Sequence, residues 1–229
     1  MITSKILVID FDYIMHDCIR LYDSYVPSKD TDPVNWDKLT EELGISEFLS
    51  YNARDLQALT HLMLKNKNAS FYAVDSHTKI IDNISDKIKR IRDMDDFLLH
   101  VDDERASIEL VDIDYHYNLA YEGIPEITEV NDSNWAGYLL KSDMIDKYTW
   151  INTPTSNVDQ GHINTFDDKV SVYDISMLTE LAYNDDKYND FSAIFFCRSE
   201  NHVPYKYMHL YDLLVMIMTQ VKVMNDGET

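Results

Sequence analysis

The stretch that sets the fold class is Ile6-Leu7-Val8-Ile9-Asp10-Phe11-Asp12, in which four consecutive apolar residues lead into two carboxylates. An uninterrupted apolar run of this length predicts a β-strand that is buried on both faces. Further short apolar segments predict strands of the same kind, at residues 71–74, 108–114, 148–151, 170–174 and 194–197. The chain therefore offers six short strands for one sheet.

Helical patterns separate these strands. Asn52 is a candidate N-cap for a helix that carries Leu56, Leu59, Leu62 and Met63. Further helices are predicted at residues 36–49, 78–92, 134–140 and 207–223, several of them from apolar side chains at helical spacing. Because strands alternate with helices, the pattern predicts an α/β fold with a mostly parallel sheet that is covered on both faces.

The composition limits the number of domains and the class of partner. The chain has 229 residues, 45% of them hydrophobic, which fits a single domain over residues 1–229. Its formal net charge of -21 argues against nucleic acid and anionic membranes as partners. The same charge would attract a cationic substrate, or would simply keep the protein soluble. Two distant cysteines and no signal-peptide pattern predict a cytoplasmic protein, and the oligomeric state is left open.

Polar side chains that can bind metals or act as acids and bases follow the predicted strands. Functional groups of a parallel α/β sheet gather at the carboxyl ends of its strands. The residues at these places are Asp10 and Asp12, Asp75 and His77, Asp114, His116 and Asn118, Asp174, and Ser199 and Glu200. Their shared position predicts that several of them meet at one edge of the sheet.

The stretch from Asp112 to Asn118 has the spacing of a metal site. Side chains two residues apart on a strand share one face, so Asp112, Asp114, His116 and Asn118 would line up together. Carboxylate and imidazole groups are ligands for manganese, iron and zinc. A polar strand face in an acidic protein is the alternative interpretation.

The order of the motifs resembles the arginase-like ureohydrolase superfamily, most closely its small branch that includes peptide arginases. That family has a D-H step after one strand, a D-x-H-x-D after the next and a D-x-D after a later strand. The matching segments here are Asp75-Ser76-His77, Asp114-Tyr115-His116-Tyr117-Asn118 and Asp174-Ile175-Ser176. Asn134-Trp135 and the segment at residues 198–204 are similar to softer motifs of the same branch.

The resemblance implies a three-layer α/β/α sandwich and a site for one or two metal ions, with Mn²⁺ the expected metal. His77 would bind one ion and His116 the other, and Asp114 and Asp174 would bridge the pair. Other divalent transition metals would suit the same ligands.

Two departures weaken this implied site. Asn118 and Ser176 stand where the family has carboxylates, so that two divalent ions would lose part of their charge neutralisation. Three outcomes stay open: one metal is kept, a neighbour such as Asp112 replaces a missing ligand, or the site is inactive.

The reaction implied by the resemblance is hydrolysis of a guanidinium group, in arginine or a peptidyl arginine, with release of urea. Metal ions would activate the water. Glu200 is the candidate carboxylate that would hold the guanidinium group through a bidentate pair. A proton shuttle would also be expected, and His162 and His202 are the candidates.

Two alternatives stay open at this point. The departures at Asn118 and Ser176 would also fit a non-catalytic relative that keeps the fold and binds a partner. The segment from Ile6 to Ile14, with Asp10 and Asp12, in turn resembles the first motif of haloacid-dehalogenase-like phosphatases, in which the first aspartate attacks phosphorus and the second serves as acid and base.

Overall fold

The computed structural model describes residues 3–16, 51–98, 107–119, 130–131, 133–154, 156, 168–184, 190–199 and 202–226. Within these ranges, six strands form one sheet: β1 (Thr3–Asp10), β2 (Ser70–Val74), β3 (Ser107–Ile113), β4 (Lys147–Ile151), β5 (Val170–Tyr173) and β6 (Phe191–Cys197). Their order is β2-β6-β1-β3-β4-β5, and each of the described pairings is parallel. The predicted α/β class is confirmed.

In the described part of the chain, five α-helices accompany the sheet: α1 (Ala53–Lys65), α2 (His77–Leu98), α3 (Trp135–Lys141), α4 (Ile175–Tyr183) and α5 (Met208–Asp226). Asn52 caps α1 as expected, since its side chain accepts hydrogen bonds from Arg54 N and Asp55 N. Helix α4 was not predicted, and the helix expected at residues 36–49 lies outside the described residues. None of the helices in the described part of the chain is long and apolar enough to cross a membrane.

Alternate residues of β1 face two separate apolar layers. Leu7 and Ile9 pack into a cluster that includes residues of α1, α4 and α5. Ile6 and Val8 pack into another cluster, which includes residues of α2 and α3. Helices therefore cover both faces of the sheet, which confirms the three-layer α/β/α arrangement.

The strand order decides which polar groups can meet. Strands β2, β6, β1 and β3 are successive neighbours in the sheet, so their carboxyl ends lie side by side. In register, Cys197 at the end of β6 lies between Val74 of β2 and Asp10 of β1. Strand β5 is at the edge, and β4 separates it from β3. The ends of the four neighbouring strands form the place where a site can be built.

Candidate metal centre

Metal-ligating side chains converge where β2, β6, β1 and β3 end. Three groups of them have their ligand atoms within 4.8 Å of one another: Asp10 with His77 and Cys197, Asp12 with His116 and His202, and Asp10 with Asp12 and Asp114. The first group is called the inner position below and the second the outer position. The third group links the two.

Two turns of the same kind bring the aspartates into place. At the end of β1, Asp10 Oδ1 accepts a hydrogen bond from Asp12 N at 3.1 Å and caps a short 3₁₀ helix, Phe11–Met15. After β3, Asp114 Oδ1 accepts from His116 N at 2.7 Å. An aspartate that bonds the backbone two residues ahead reverses the chain locally. Each turn therefore returns the second residue of its motif, Asp12 or His116, towards the same point.

The inner position is closed to solvent. His77 Nε2 lies 3.0 Å from Asp10 Oδ2, and Asp10 and Cys197 are both 0% exposed. The imidazole of His77 stacks on Trp135 with ring centroids 5.5 Å apart, which fixes its orientation. Burial raises the pKa of the Cys197 thiol to about 11.

The outer position is open on one side. His116 Nδ1 lies 3.0 Å from Asp12 Oδ2, and His202 Nδ1 lies 3.9 Å from the same oxygen. His116 and His202 are half-buried, and their rings are 4.5 Å apart. Burial, together with the charge of His116, lowers the pKa of His202 to about 3. His202 is therefore neutral at physiological pH, the form in which imidazole binds metals.

Asp114 lies between the two positions and faces both. Its Oδ2 atom is 3.6 Å from His77 Nε2, and its Oδ1 atom is 3.7 Å from His116 Nδ1. Carboxylates that bridge two metal ions present one oxygen to each, and Asp114 has this disposition. The role expected for Asp114 in the sequence is compatible with the geometry.

The site concentrates negative charge in the protein interior. Asp10, Asp12, Asp112 and Asp114 are all 0% exposed. Among the described residues, no lysine or arginine forms an ion pair with any of them. Buried carboxylates are costly unless they are paired or coordinate a metal. A cation at this place would offset that cost.

The pKa values show how the cluster holds its charge without a metal ion. Burial raises the pKa of Asp10 and, to about 7, that of Asp12, and repulsion from neighbouring carboxylates adds to the effect. Burial also raises the pKa of Asp112 well above its usual range. Asp114 differs, because the hydrogen bond from His116 and the charge of His77 outweigh burial and lower its pKa. Protons on these carboxyl groups thus neutralise negative charge that a bound metal ion would otherwise neutralise.

The two ion-paired histidines, His77 and His116, hold protons because acidic groups lie beside them. Burial by itself lowers the pKa of each ring. Cys197 and Asp10 outweigh it at His77, and Asp12 and Asp114 outweigh it at His116, so both pKa values end well above the usual value. A divalent ion would displace these protons and use the same nitrogen atoms as ligands.

Several buried polar atoms at the site have no hydrogen-bond partner. They include Asp10 Oδ2, Asp12 Oδ1 and His77 Nε2. Buried polar atoms in native proteins are nearly always satisfied. Two ligands of one transition-metal ion at about 2.1 Å from it lie roughly 3 to 3.5 Å apart, which the 3.0 Å between Asp10 Oδ2 and His77 Nε2 matches. The residues present therefore fit a divalent metal.

Asn118 donates hydrogen bonds to two of the buried carboxylates. Its amide nitrogen donates to Asp114 Oδ2 at 2.5 Å and to Asp112 Oδ2 at 3.2 Å. The hydroxyl of Tyr148 donates to the same Asp112 oxygen at 2.7 Å. The amide oxygen of Asn118 is buried without a partner. Asn118 thus orients Asp114 through its nitrogen, whereas its expected role as a metal ligand stays a prediction.

Helix α3 holds Asn118 in place through the backbone. Ala136 N and Gly137 N both donate to the carbonyl oxygen of Asn118, at 3.2 and 3.3 Å. A Cβ atom at Gly137 would lie 2.3 Å from the carbonyl oxygen of Leu119, so only glycine permits this approach. The short helix therefore fixes the end of the Asp114–Asn118 segment.

The structure brings together four of the five residues expected as metal ligands: His77, Asp114, His116 and Asn118. Asp174 does not join them, because it is exposed and caps helix α4 at the edge strand β5. Glu200 and His162 lie outside the described residues.

Other members of the cluster were not expected as ligands. Asp10 and Asp12 were expected among the polar groups at the strand ends, but the chemical role expected for them was that of a phosphatase. His202 was expected only as a proton shuttle and Cys197 as an ordinary core cysteine. The available signal was the Asp-x-Asp pattern directly after the apolar run Ile6–Ile9. For Cys197 the sequence carries no signal, because its proximity to His77 depends on the strand order.

Comparison with known proteins gave no match: no family model, no curated protein and no solved structure matches this chain.

Proposed function

We propose that this protein is a metal-dependent hydrolase with a two-metal centre, and that it hydrolyses a guanidinium group with release of urea. One observation carries the proposal: Asp114 directs one carboxylate oxygen towards His77 and the other towards His116. Asp10 stands beside the first histidine and Asp12 beside the second, each at 3.0 Å. Each position thus combines an imidazole, a carboxylate of its own and a share of a bridging carboxylate.

The Asp-x-Asp motif at the end of β1 strengthens the likeness to ureohydrolases. The resemblance requires such a motif after a strand, and Asp174 with Ser176 provides it incompletely. Asp10 and Asp12 provide both carboxylates and lie at the cluster. In this chain the motif precedes the two Asp-x-His motifs instead of following them. The position in the sheet supports the assignment, while the order along the chain differs from that family.

In the proposed reaction the metal ions would activate water, and the protein would position the ions and admit the substrate. Bound divalent ions lower the pKa of water and orient it for attack on an electrophilic carbon. Asp114, oriented by the amide of Asn118, would hold the two positions at a fixed separation. His116 and His202 reach partly to solvent, so substrate would enter from the outer position.

The proposed substrate class follows from charge and from the motif after β6. A net charge of -21 attracts a cationic guanidinium compound. Glu200, the proposed partner of that group, directly follows Ser199, whose Oγ atom lies 3.4 Å from Asp12 Oδ2. Ser199 has a positive φ of 50°, an uncommon conformation for serine that clusters at functional sites. Free arginine, a peptidyl arginine and agmatine are all candidates.

The test combines metal content with product formation. Protein purified without chelator should contain up to two equivalents of a divalent transition metal, measured by inductively coupled plasma mass spectrometry. Urea should then be released from one of the three candidate substrates after loading with Mn²⁺. Metal binding without urea release would favour the non-catalytic relative. Absence of any metal, also after titration, would contradict the two-metal centre.

A phosphatase is the second candidate, since Asp10 and Asp12 lie at the end of the central strand β1. A nucleophilic Asp10 needs a free carboxylate oxygen. Here Asp10 Oδ2 lies 3.0 Å from His77, and this favours the metal-ligand role. Hydrolysis of a generic phosphomonoester in Mg²⁺, lost in Asp10→Asn, would support the phosphatase over the ureohydrolase.

A further inference from the structure

The inner position contains a sulfur atom that the motif resemblance does not account for. Cys197 is the register partner of Asp10 on the adjacent parallel strand, so the two side chains project from the same face of the sheet. The sulfur, a carboxylate oxygen of Asp10 and a ring nitrogen of His77 lie within 4.8 Å of one another. Apolar packing explains the burial of Cys197 but not the two polar neighbours.

The two neighbours of this sulfur are only partly satisfied. Asp10 Oδ2 and His77 Nε2 form an ion pair at 3.0 Å, but both atoms are buried and neither makes a hydrogen bond. A thiol is a weak donor and a weak acceptor, and it cannot satisfy both atoms. A cation bound by all three groups would satisfy each of them. Asp10 is 0% exposed, so water does not reach its carboxylate from the surface.

We propose that Cys197 is a thiolate ligand of the metal at the inner position, together with Asp10 and His77. The inference rests on the proposed two-metal centre. On binding, the S–H bond of Cys197 breaks, its proton passes to solvent, and the sulfur forms a bond to the divalent ion without any change of oxidation state.

This ligand set makes the two positions chemically different. Thiolate is a soft ligand that favours Zn²⁺, Co²⁺ and Fe²⁺, whereas Mn²⁺ prefers oxygen ligands. The inner position therefore selects a thiophilic ion, and the outer position, with Asp12, His116 and His202, accepts a wider range of ions. The centre is expected to be mixed in metal when both positions are filled from a medium that contains Zn²⁺ and Mn²⁺.

Cobalt substitution tests the proposal directly. Metal-free protein is titrated with Co²⁺ under argon, in the presence of a phosphine reductant, and absorption is recorded from the near ultraviolet to the red. A thiolate-to-cobalt charge-transfer band should grow in the near ultraviolet and saturate at one equivalent. Cys197→Ser should bind Co²⁺ at the outer position without this band, and its preference for Zn²⁺ over Mn²⁺ should fall about 10-fold or more.

The second cysteine of the chain provides the matched control. Cys18→Ser should keep the band, and loss of the band in Cys18→Ser but not in Cys197→Ser would overturn the assignment. Stoichiometric Co²⁺ binding by the wild type without the band would also overturn it, while the two-metal centre would stand. Absence of Co²⁺ binding would contradict both.

A measurement on the unmodified chain covers the case in which Cys197→Ser does not fold. X-ray absorption of the Zn²⁺-loaded protein should show a sulfur scatterer at about 2.3 Å. A first shell of nitrogen and oxygen alone would contradict the proposal.

Discussion

Asp10 and Asp174 have the same local structure at the carboxyl ends of two different strands. Each follows a strand and begins a helical turn: Asp10 Oδ1 accepts from Asp12 N at 3.1 Å, and Asp174 Oδ1 accepts from Ser176 N at 2.9 Å. Yet Asp10 is fully buried and has a raised pKa, whereas Asp174 is exposed and has a lowered one. The local sequence does not explain the difference.

The strand order does explain it. Asp10 ends β1, between β6 and β3, so Cys197, His77 and Asp114 surround it. Asp174 follows β5, which has a neighbour on one side only among the described strands. A capping aspartate thus becomes a candidate ligand only where neighbouring strands bring further ligands. The predictions below change one side of this comparison at a time.

The largest effect is expected from Asp114→Asn, because Asp114 faces both positions. The substitution keeps the shape of the side chain but removes the negative charge that both metal ions would share. We expect metal affinity at the two positions to fall at least about 100-fold, beyond the loss caused by outer-shell changes. Urea release, where the wild type shows it, should disappear. Isothermal titration with Mn²⁺ and Zn²⁺ measures the affinity.

The control for Asp114→Asn is the far-ultraviolet circular dichroism of the metal-free variant, which should match the wild type. Metal binding that is unchanged at both positions would show that Asp114 does not bridge them.

The second prediction makes the same substitution at the two capping aspartates. Asp10→Asn should remove the inner metal and leave about one equivalent bound, because Asp12, His116 and His202 stay in place. Asp174→Asn should leave the full metal content, since Asp174 is no part of the cluster. Metal content after dialysis is measured for both variants. If Asp174→Asn lost metal and Asp10→Asn did not, the ligand assignment based on sequence motifs would replace the one given above.

The fold was largely predictable from local patterns. Apolar runs such as Ile6–Ile9 identify buried strands, and the apolar spacing from Leu56 to Met63 identifies α1, since both depend on neighbours in sequence. Helix α4 was not predicted, whereas the shorter helix α3 was. The order of the strands was not predictable from these patterns, because it depends on contacts between distant segments.

The site was predictable only in part for the same reason. His77, Asp114 and His116 were found because their motifs combine metal ligands at short spacing. Asp174 was selected as a ligand on motif order, and the edge position of β5 keeps it apart from the cluster. The approach of Asp10 to Asp114 was not predictable, because it depends on β1 lying next to β3 in the sheet.

The third prediction concerns Asn118, the amide that stands where ureohydrolases have a carboxylate. Asn118→Asp replaces a donor to Asp112 and Asp114 by a further buried anion. We expect the metal-free protein to lose about 3 kcal/mol of its free energy of unfolding. Added metal should restore more stability to the variant than to the wild type, because an extra carboxylate binds the cation. Urea denaturation with and without Zn²⁺ measures both effects.

Asn118→Ala separates loss of the donor from gain of charge. It should cost less than Asn118→Asp, about 1 to 3 kcal/mol, because it leaves unsatisfied acceptors but adds no anion. Equal losses of unfolding free energy in the two variants would mean that the introduced carboxylate does not lie close to Asp112 and Asp114.

The smallest effect is expected from Asp174→Asn on stability. Hydrogen bonds from Ser176 lower the pKa of Asp174 in the folded protein. A lowered folded pKa means that the charged form stabilises the fold above the unfolded pKa, and that this contribution fades as pH falls through the folded value. The wild type should therefore be slightly more stable than Asp174→Asn at pH 7, and the difference should vanish as pH falls below 3.8, the ordinary value for aspartate. Thermal unfolding of both proteins between pH 7 and pH 3 measures it. A difference that grows on acidification would contradict the capping role, and with it the contrast between Asp174 and the buried Asp10.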